Sequence, residues 1–278
     1  TQIVASVSFE NTAALPSLGF HLCAMAIWGN LDKEKFVTKW DKQWSKLSQL
    51  GESNTPEPVN HQYLVSWLTT HSTPCTPFEM TLKVWAAYSG DLLGCEYHDA
   101  LEAYLRRMTD NQIKTQNALE SLALQMVVSM NPALQSRHID TTHLKQEFNQ
   151  NQTQDDRQPN QVAIDHSLNK LPPIPSDIAN TELLEVHSES RLRFINPLIT
   201  GYLAGKALTK FSGLIQIQGQ PAWVGKSTTL YYLSHFGDVS SVAKFLLKQD
   251  DFLHRELLRI ARWLTVTPTN QTWRSQVL

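Results

Sequence analysis

The chain has few cysteines and no cysteine pair at metal-binding spacing. Cys23, Cys75 and Cys95 are widely separated among its 278 residues, and no CxxC motif occurs. This spacing argues against a disulfide framework and against a cysteine zinc site. A reducing, cytoplasmic setting fits it best.

Long hydrophobic runs and targeting segments are also lacking. The most apolar stretch, residues 18–29, is shorter than the roughly 20 residues that a membrane-spanning helix needs, and it contains His21. No basic segment followed by an apolar stretch marks a signal peptide. We therefore expect no membrane partner. Because the chain begins at Thr1 and ends in helical-type sequence, we expect it to be a segment of a longer protein.

An excess of charge of one sign is absent too. The sequence has 24 basic and 26 acidic residues, which leaves a net charge of -2. Such a balance removes the broad attraction that a strongly basic protein has for nucleic acid, so we do not expect a nucleic-acid partner. Hydrophobic residues make up 41% of the sequence, which is typical of a folded globular protein.

Motifs that carry catalysis or bind metals are missing. The ten histidines form no HExxH motif, and neither a GxSxG motif nor a local Cys–His signature occurs. Residues 219–227 (GQPAWVGKS) end like a phosphate loop, but five residues rather than four separate the glycines, and Pro221 removes one backbone N–H. We predict a turn here, with Lys226 in solvent and Ser227 or Thr228 capping the next helix. We expect neither a metal site nor enzymatic activity from this chain.

What the sequence does contain is mostly helical periodicity. Asp32 is expected to cap a helix whose apolar face includes Phe36, Trp40 and Trp44. Two apolar stretches, 183–186 and 191–194, flank four polar residues and predict a β-hairpin. The predicted strands lie at 2–9 and 21–27, a polar loop lies at 149–161, and the other predicted helices lie at 59–68, 82–88, 100–107, 112–130, 140–148, 162–168, 198–208, 228–236, 239–247 and 252–264.

Several short motifs follow one another in a family-like order. Residues 2–8 and 19–28 look like a sensor-1 strand and the stretch after it, and residues 73–83 (TPCTPFEMTLK) look like a proline-led helical element. The order of helix, short helix and hairpin is that of a winged helix, and residues 193–204 (RFINPLITGYLA) close it. Together these motifs resemble the signal-transducing NTPases with numerous domains, called STAND, of the NACHT type.

The resemblance implies a mainly α fold in four parts. Residues 1–50 would be the remnant of an α/β NTPase edge, 51–112 a helical subdomain, 113–210 a winged helix with a short β-hairpin, and 211–278 antiparallel helical pairs of the HEAT type. The chain would then be a regulatory segment that couples the ADP or ATP state to domain rearrangement and assembly, with a protein partner or a further copy of itself.

The resemblance also implies three nucleotide-binding positions, Ser8, Pro77 and Asn196. In the family the sensor-1 position is usually arginine, the proline packs on the adenine base, and the winged-helix position is a histidine that contacts the ADP phosphate. Asn196 can donate a hydrogen bond to phosphate but cannot become cationic, so its contact would be weaker. Because the phosphate loop would lie before Thr1, ADP or ATP is expected in the parent protein and not in this chain alone.

Two other functions remain open from the sequence. The helical pairs could form a nucleotide-independent scaffold whose concave surface binds a protein. A winged helix could instead bind DNA, although the predicted recognition segment, residues 136–148, balances Arg137 and Lys145 with Asp140 and Glu147. That neutrality makes DNA binding the least favoured of the three.

Overall fold

Helices make up most of the described part of the chain, and one small antiparallel sheet accompanies them. The chain divides into two compact units, residues 1–103 and 104–278. The computed structural model describes residues 16–19, 21, 28–49, 60–70, 76–91, 93–94, 96–135, 178, 181–187, 191–248, 254–268 and 271–277.

Within its described residues, the first unit contains the helices α1 (Asn30–Gln49), α2 (His61–Thr70) and α3 (Pro77–Tyr88). A fourth helix, α4 (Tyr97–Met108), crosses the boundary between the units. Apolar side chains of α1, α2 and α3 meet in one core because each helix has an apolar stripe. Its buried members are Val37, Leu64, Leu68, Met80, Val84, Ala87 and Tyr88, and Trp28, Phe36, Trp40, Trp44, Val65 and Trp67 pack against them.

Polar contacts fix the helices of this core. The buried Lys33 of α1 donates from Nζ to the carbonyl oxygen of Leu68 at 3.2 Å, near the carboxyl end of α2. The buried Tyr88 donates its hydroxyl to Asp41 at 3.1 Å. Burial, followed by this hydrogen bond, raises the pKa of Tyr88. Both contacts join α1 to a neighbouring helix.

The second unit continues with α5 (Ile113–Val128) and the short strands β1 (Leu134–Gln135), β2 (Leu184–His187) and β3 (Arg191–Phe194). The described residues after β3 contain the helices α6 (Pro197–Ala207), α7 (Leu214–Gly219), α8 (Val224–Phe236), α9 (Ser240–Leu247) and α10 (Arg255–Trp263). A 3-10 helix, Thr272–Gln276, lies beyond them.

The three strands form a sheet in the order β1-β3-β2. β2 and β3 are the two arms of a hairpin, with Leu184 opposite Phe194. β1 pairs antiparallel with β3, with Leu134 opposite Leu192. The strand that follows α5 therefore lies beside the second arm of a hairpin that comes much later in the chain.

Helix α6 packs between α5 and α8, and two of its glycines allow the close contact with α8. A Cβ atom on Gly205 would lie 2.8 Å from the backbone nitrogen of Leu233 and 2.9 Å from Cβ of Tyr232. A Cβ atom on Gly201 would overlap Oγ1 of Thr228. Small residues four apart thus let two helix backbones approach, as in other closely packed helix pairs.

A buried carboxylate joins α5 to the end of α6. Glu120 is 1% exposed, and its Oε2 accepts a hydrogen bond from Nζ of Lys210 at 2.6 Å. Nζ of Lys206 lies 3.7 Å from its other oxygen, and Lys210 also donates to Asn117 at 3.1 Å. Burial of this charge is tolerated because two ammonium groups compensate it.

The structure confirms a mainly helical chain and the hairpin, and it adds β1 and α7, which the periodicity does not predict. The position of Asp32 is corrected: α1 begins at Asn30, and Asp32 accepts the N–H of Gly29 from within the first turn. Outside the described residues lie the predicted strand 2–9, the strand 21–27 apart from His21, and the segments 140–148, 149–161 and 162–168.

Candidate functional site

The three predicted nucleotide contacts fall in different parts of the chain. Ser8 lies outside the described residues. Pro77 belongs to the first unit and Asn196 to the second. Pro77 is the first residue of one helix and Asn196 is the N-cap of another, so helix capping sets their surroundings.

Pro77 is the first residue of α3 and its ring is exposed. The preceding residue, Thr76, accepts the N–H of Glu79 at 3.2 Å, and Glu79 accepts the N–H of Thr76 at 2.7 Å. This reciprocal capping box, together with a proline whose φ suits a first helical turn, fixes the start of α3. The exposed ring offers a rigid apolar surface to a ligand.

Asn196 occupies the junction between the sheet and α6. The N–H of Ile195 still donates to the carbonyl oxygen of Leu183 at 3.1 Å, so the hairpin contacts extend almost to the helix. Asn196 then adopts an extended conformation as the N-cap, and its Oδ1 accepts the N–H of Leu198 at 2.9 Å. Pro197 follows in the first turn. Asparagine at the N-cap before proline is a strong start signal for a helix.

The backbone N–H groups at the start of α6 form hydrogen bonds within the chain. Pro197 has no N–H, Leu198 donates to Oδ1 of Asn196, and Ile199 donates to the carbonyl oxygen of Asn196 at 3.1 Å. Nδ2 of Asn196 has no acceptor among the described residues. Because Oδ1 is held by the cap, the amide group has a fixed orientation, and its two N–H bonds can donate to an anion beside the positive end of α6.

Lys226 has a different role from the predicted one. It is 7% exposed, and its Nζ donates to the carbonyl oxygens of Gln218 at 2.8 Å and Gln220 at 2.6 Å. Its amine therefore closes the carboxyl end of α7. Burial first, and then the nearby Arg259, lower the pKa of Lys226, and Glu256 opposes that effect. The prediction that Lys226 lies in solvent is wrong, because carbonyl oxygens at the end of α7 accept hydrogen bonds from its amine.

The capping prediction for this segment is also wrong. Helix α8 begins with Trp223 as its N-cap, which makes no side-chain capping bond. Thr228 lies inside the helix and donates its hydroxyl to the carbonyl oxygen of Val224 at 2.9 Å. Gly225 and Lys226 are thus residues of the first turn of α8, and the lysine points at α7 and not toward a phosphate.

Within the part of the chain that the structure describes, no group of three or more His, Cys, Asp or Glu side chains is placed to hold a metal ion. No described helix is both long and apolar enough to cross a bilayer. Comparison of the chain with protein-family models, with curated proteins and with solved structures found no match.

Proposed function

We propose that this chain is a regulatory segment of a nucleotide-switched signalling protein of the STAND/NACHT type. In this proposal ADP, held mainly by a phosphate loop elsewhere in the parent protein, contacts Pro77 through its base and Asn196 through a phosphate. Loss of these contacts lets the domains rearrange and assemble, because a ligand shifts a conformational equilibrium only through its differential contacts.

The strand order supports the winged-helix part of the proposal. In a winged helix, the hairpin closes onto a short strand that follows the first helix, which is the order of α5, β1 and the β2–β3 hairpin. Residues 136–183 separate β1 from β2, a length that leaves room for the remaining helices. Two residues separate β3 from α6, which begins where the resemblance expects the closing motif.

The single observation that carries the proposal is the amide group of Asn196. Its oxygen is fixed by the cap of α6, while its nitrogen has two hydrogens without an acceptor among the described residues. A phosphate oxygen is the acceptor that the resemblance assigns to this position. A hydrogen bond to a charged group contributes about 1.5–3 kcal/mol, enough to favour one state of a two-state switch.

The exposed position of Pro77 is compatible with its assigned role. A proline that packed into the core of the first unit could not touch a base, whereas this ring is exposed at the start of a capped helix. The capping box makes the position rigid, so a planar base would meet a surface that needs no reordering.

The test is ADP affinity of the parent protein with Asn196→Asp and Asn196→Ala. Aspartate keeps the acceptor that caps α6 but loses the N–H donors and adds a negative charge. We expect ADP affinity, measured by calorimetry, to fall about tenfold or more, since 1.4 kcal/mol is a factor of ten. The thermal midpoint should stay unchanged, because aspartate is an equally good N-cap.

Asn196→Ala is the matched control. It removes both the cap and the donors, so it should lower stability by about 1 kcal/mol in addition to weakening ADP binding. An Asn196→Asp protein that binds ADP as tightly as the wild type would contradict the proposal. Absence of ADP binding by the parent protein would favour the nucleotide-independent scaffold.

A further inference from the structure

One face of α1 has an unusual concentration of positive charge. Lys35, Lys39, Lys42 and Lys46 recur at spacings of four, three and four residues, and all four are exposed. At 100° per residue these positions fall on one side of the helix. We call these four residues the lysine face. At a rise of 1.5 Å per residue it is about 16 Å long.

The opposite side of α1 is the one that packs. Val37 is fully buried, and Phe36, Trp40 and Trp44 pack against the core of the first unit. The packing of these residues turns the lysine face away from that core. The charge therefore has no part in holding α1 to α2 and α3.

Helix α1 has three acidic residues near the lysine face in sequence, and none of them forms an ion pair with the four lysines among the described residues. Glu34 is exposed beside Lys35, and Asp41 accepts the hydroxyl hydrogen of Tyr88. Asp32 stands three residues before Lys35, but its carboxylate accepts the N–H of Gly29 at 3.2 Å. None of the four lysines has an ion-pair partner within the described ranges.

This arrangement costs the helix stability. Each successive pair of these lysines is three or four residues apart, and like charges at that spacing destabilise a helix by about 0.2–0.5 kcal/mol per pair. A helix face on which charges of both signs alternate gains ion pairs at this spacing, and the lysine face has no such alternation. Local rules are broken in this way chiefly where a function needs it. A polyanion that covered the lysine face would turn the repulsion into attraction.

We propose that the lysine face binds the phosphate backbone of double-stranded DNA, without reading its sequence. Along about 16 Å, one strand of a duplex presents about five phosphates, at 3.4 Å each. Lysine binds phosphate as a point charge and does not form the bidentate contacts by which arginine reads a base. This inference concerns a different surface from the nucleotide contacts proposed above.

A duplex fits this surface better than a single strand. Proteins that bind single strands stack bases on aromatic side chains, and the aromatic residues of α1 pack against the core on the other side. The net charge of -2 does not oppose the proposal, because it averages over 278 residues whereas binding depends on local charge.

The test is fluorescence anisotropy of the complete chain with a labelled 20-base-pair DNA duplex and an RNA duplex of the same sequence. Four phosphate contacts predict a slope of log K against log salt concentration of about −3.6 for DNA. Affinity should then fall about 150-fold between 50 and 200 mM KCl. Salt-dependent binding to the DNA duplex supports the proposal, and tighter binding to the RNA duplex would overturn DNA as the partner.

Matched lysine pairs provide the control. The double variant Lys42→Gln/Lys46→Gln should reduce the steepness of the slope by about 1.8 and weaken binding at 50 mM KCl. Lys244→Gln/Lys248→Gln removes an exposed pair at the same spacing in the α9 region and should change neither value. Lys42→Arg/Lys46→Arg keeps the charge and should bind like the wild type.

The variants should also fold normally. Removing like charges from α1 relieves repulsion, so the thermal midpoint of the glutamine variant should equal or exceed that of the wild type. Absence of salt-dependent binding to the DNA duplex would overturn the proposal. So would an equal loss in the control pair, or tighter binding to polyglutamate of the same charge, which would indicate an acidic protein as partner.

Discussion

Gly205→Ala should destabilise the second unit, although alanine is normally the better helix residue. The new Cβ would lie 2.8 Å from the nitrogen of Leu233 and 3.0 Å from the carbonyl oxygen of Thr229. Both are backbone atoms of α8, so they cannot rotate away. Overpacking costs up to about 3 kcal/mol, and the alanine preference returns about 1 kcal/mol. The expected net loss is about 2 kcal/mol.

The assay is thermal unfolding followed by circular dichroism. For a unit of this size, 2 kcal/mol corresponds to a fall of about 4–8 °C in the thermal midpoint. Gly219→Ala is the control, because a Cβ atom there meets nothing within 4 Å, and it should be neutral or slightly stabilising. A Gly205→Ala protein as stable as the wild type would refute the close contact of α6 with α8.

Two further perturbations test the polar contacts of the second unit. Glu120→Gln leaves Lys206 and Lys210 without their shared carboxylate and should lower the free energy of unfolding in urea by about 2 kcal/mol. The loss is moderate because both lysines reach solvent. An unchanged free energy would show that the carboxylate and its two lysines contribute nothing to stability. Lys226→Met removes two hydrogen bonds to α7 and should cost about 1–3 kcal/mol. Because the folded-state pKa of Lys226 is lowered, the wild type should gain stability as the pH rises from that pKa toward 10.5, the value for the free side chain. In urea titrations across alkaline pH, this gain in the free energy of unfolding should be smaller for Lys226→Met than for the wild type. An equal gain would show that another group is responsible.

Local patterns in the sequence are sufficient to predict α1 and the hairpin. The spacing of Phe36, Trp40 and Trp44 places three aromatic side chains on one helix face, and the structure packs that face on the core. Two apolar stretches, 183–186 and 191–194, around four polar residues predict the hairpin, which the structure confirms. Each of these two signals is contained in a short segment, so neither prediction requires knowledge of residues far away in the chain.

The features that the sequence does not predict depend on distant partners. β1 has two residues, and its pairing partner Leu192 lies far along the chain from Leu134. The burial of Lys226 depends on α7, a helix of six residues that has no clear period. Gly201 and Gly205 of α6 are needed because α8 lies close to them, and the sequence does not show that contact.

The candidate site was accessible to sequence reasoning in part. The resemblance picks out Asn196, and the Asn196–Pro197 pair is also an N-cap signal that sequence rules can find. The direction of its amide group depends on the hydrogen bond that Leu198 donates to Oδ1, and the sequence does not show that bond. The spacing of the lysine face can be read from the sequence. The net charge of the chain does not indicate it, because acidic residues elsewhere balance these four lysines.

The central claim of the proposed function is that Asn196 donates an amide N–H to a phosphate oxygen of ADP. A structure of the parent protein with ADP bound tests it most directly. The account predicts Nδ2 of Asn196 within about 2.7–3.2 Å of a phosphate oxygen, and the ring of Pro77 in contact with the adenine base. ADP bound with neither residue against it would contradict the account.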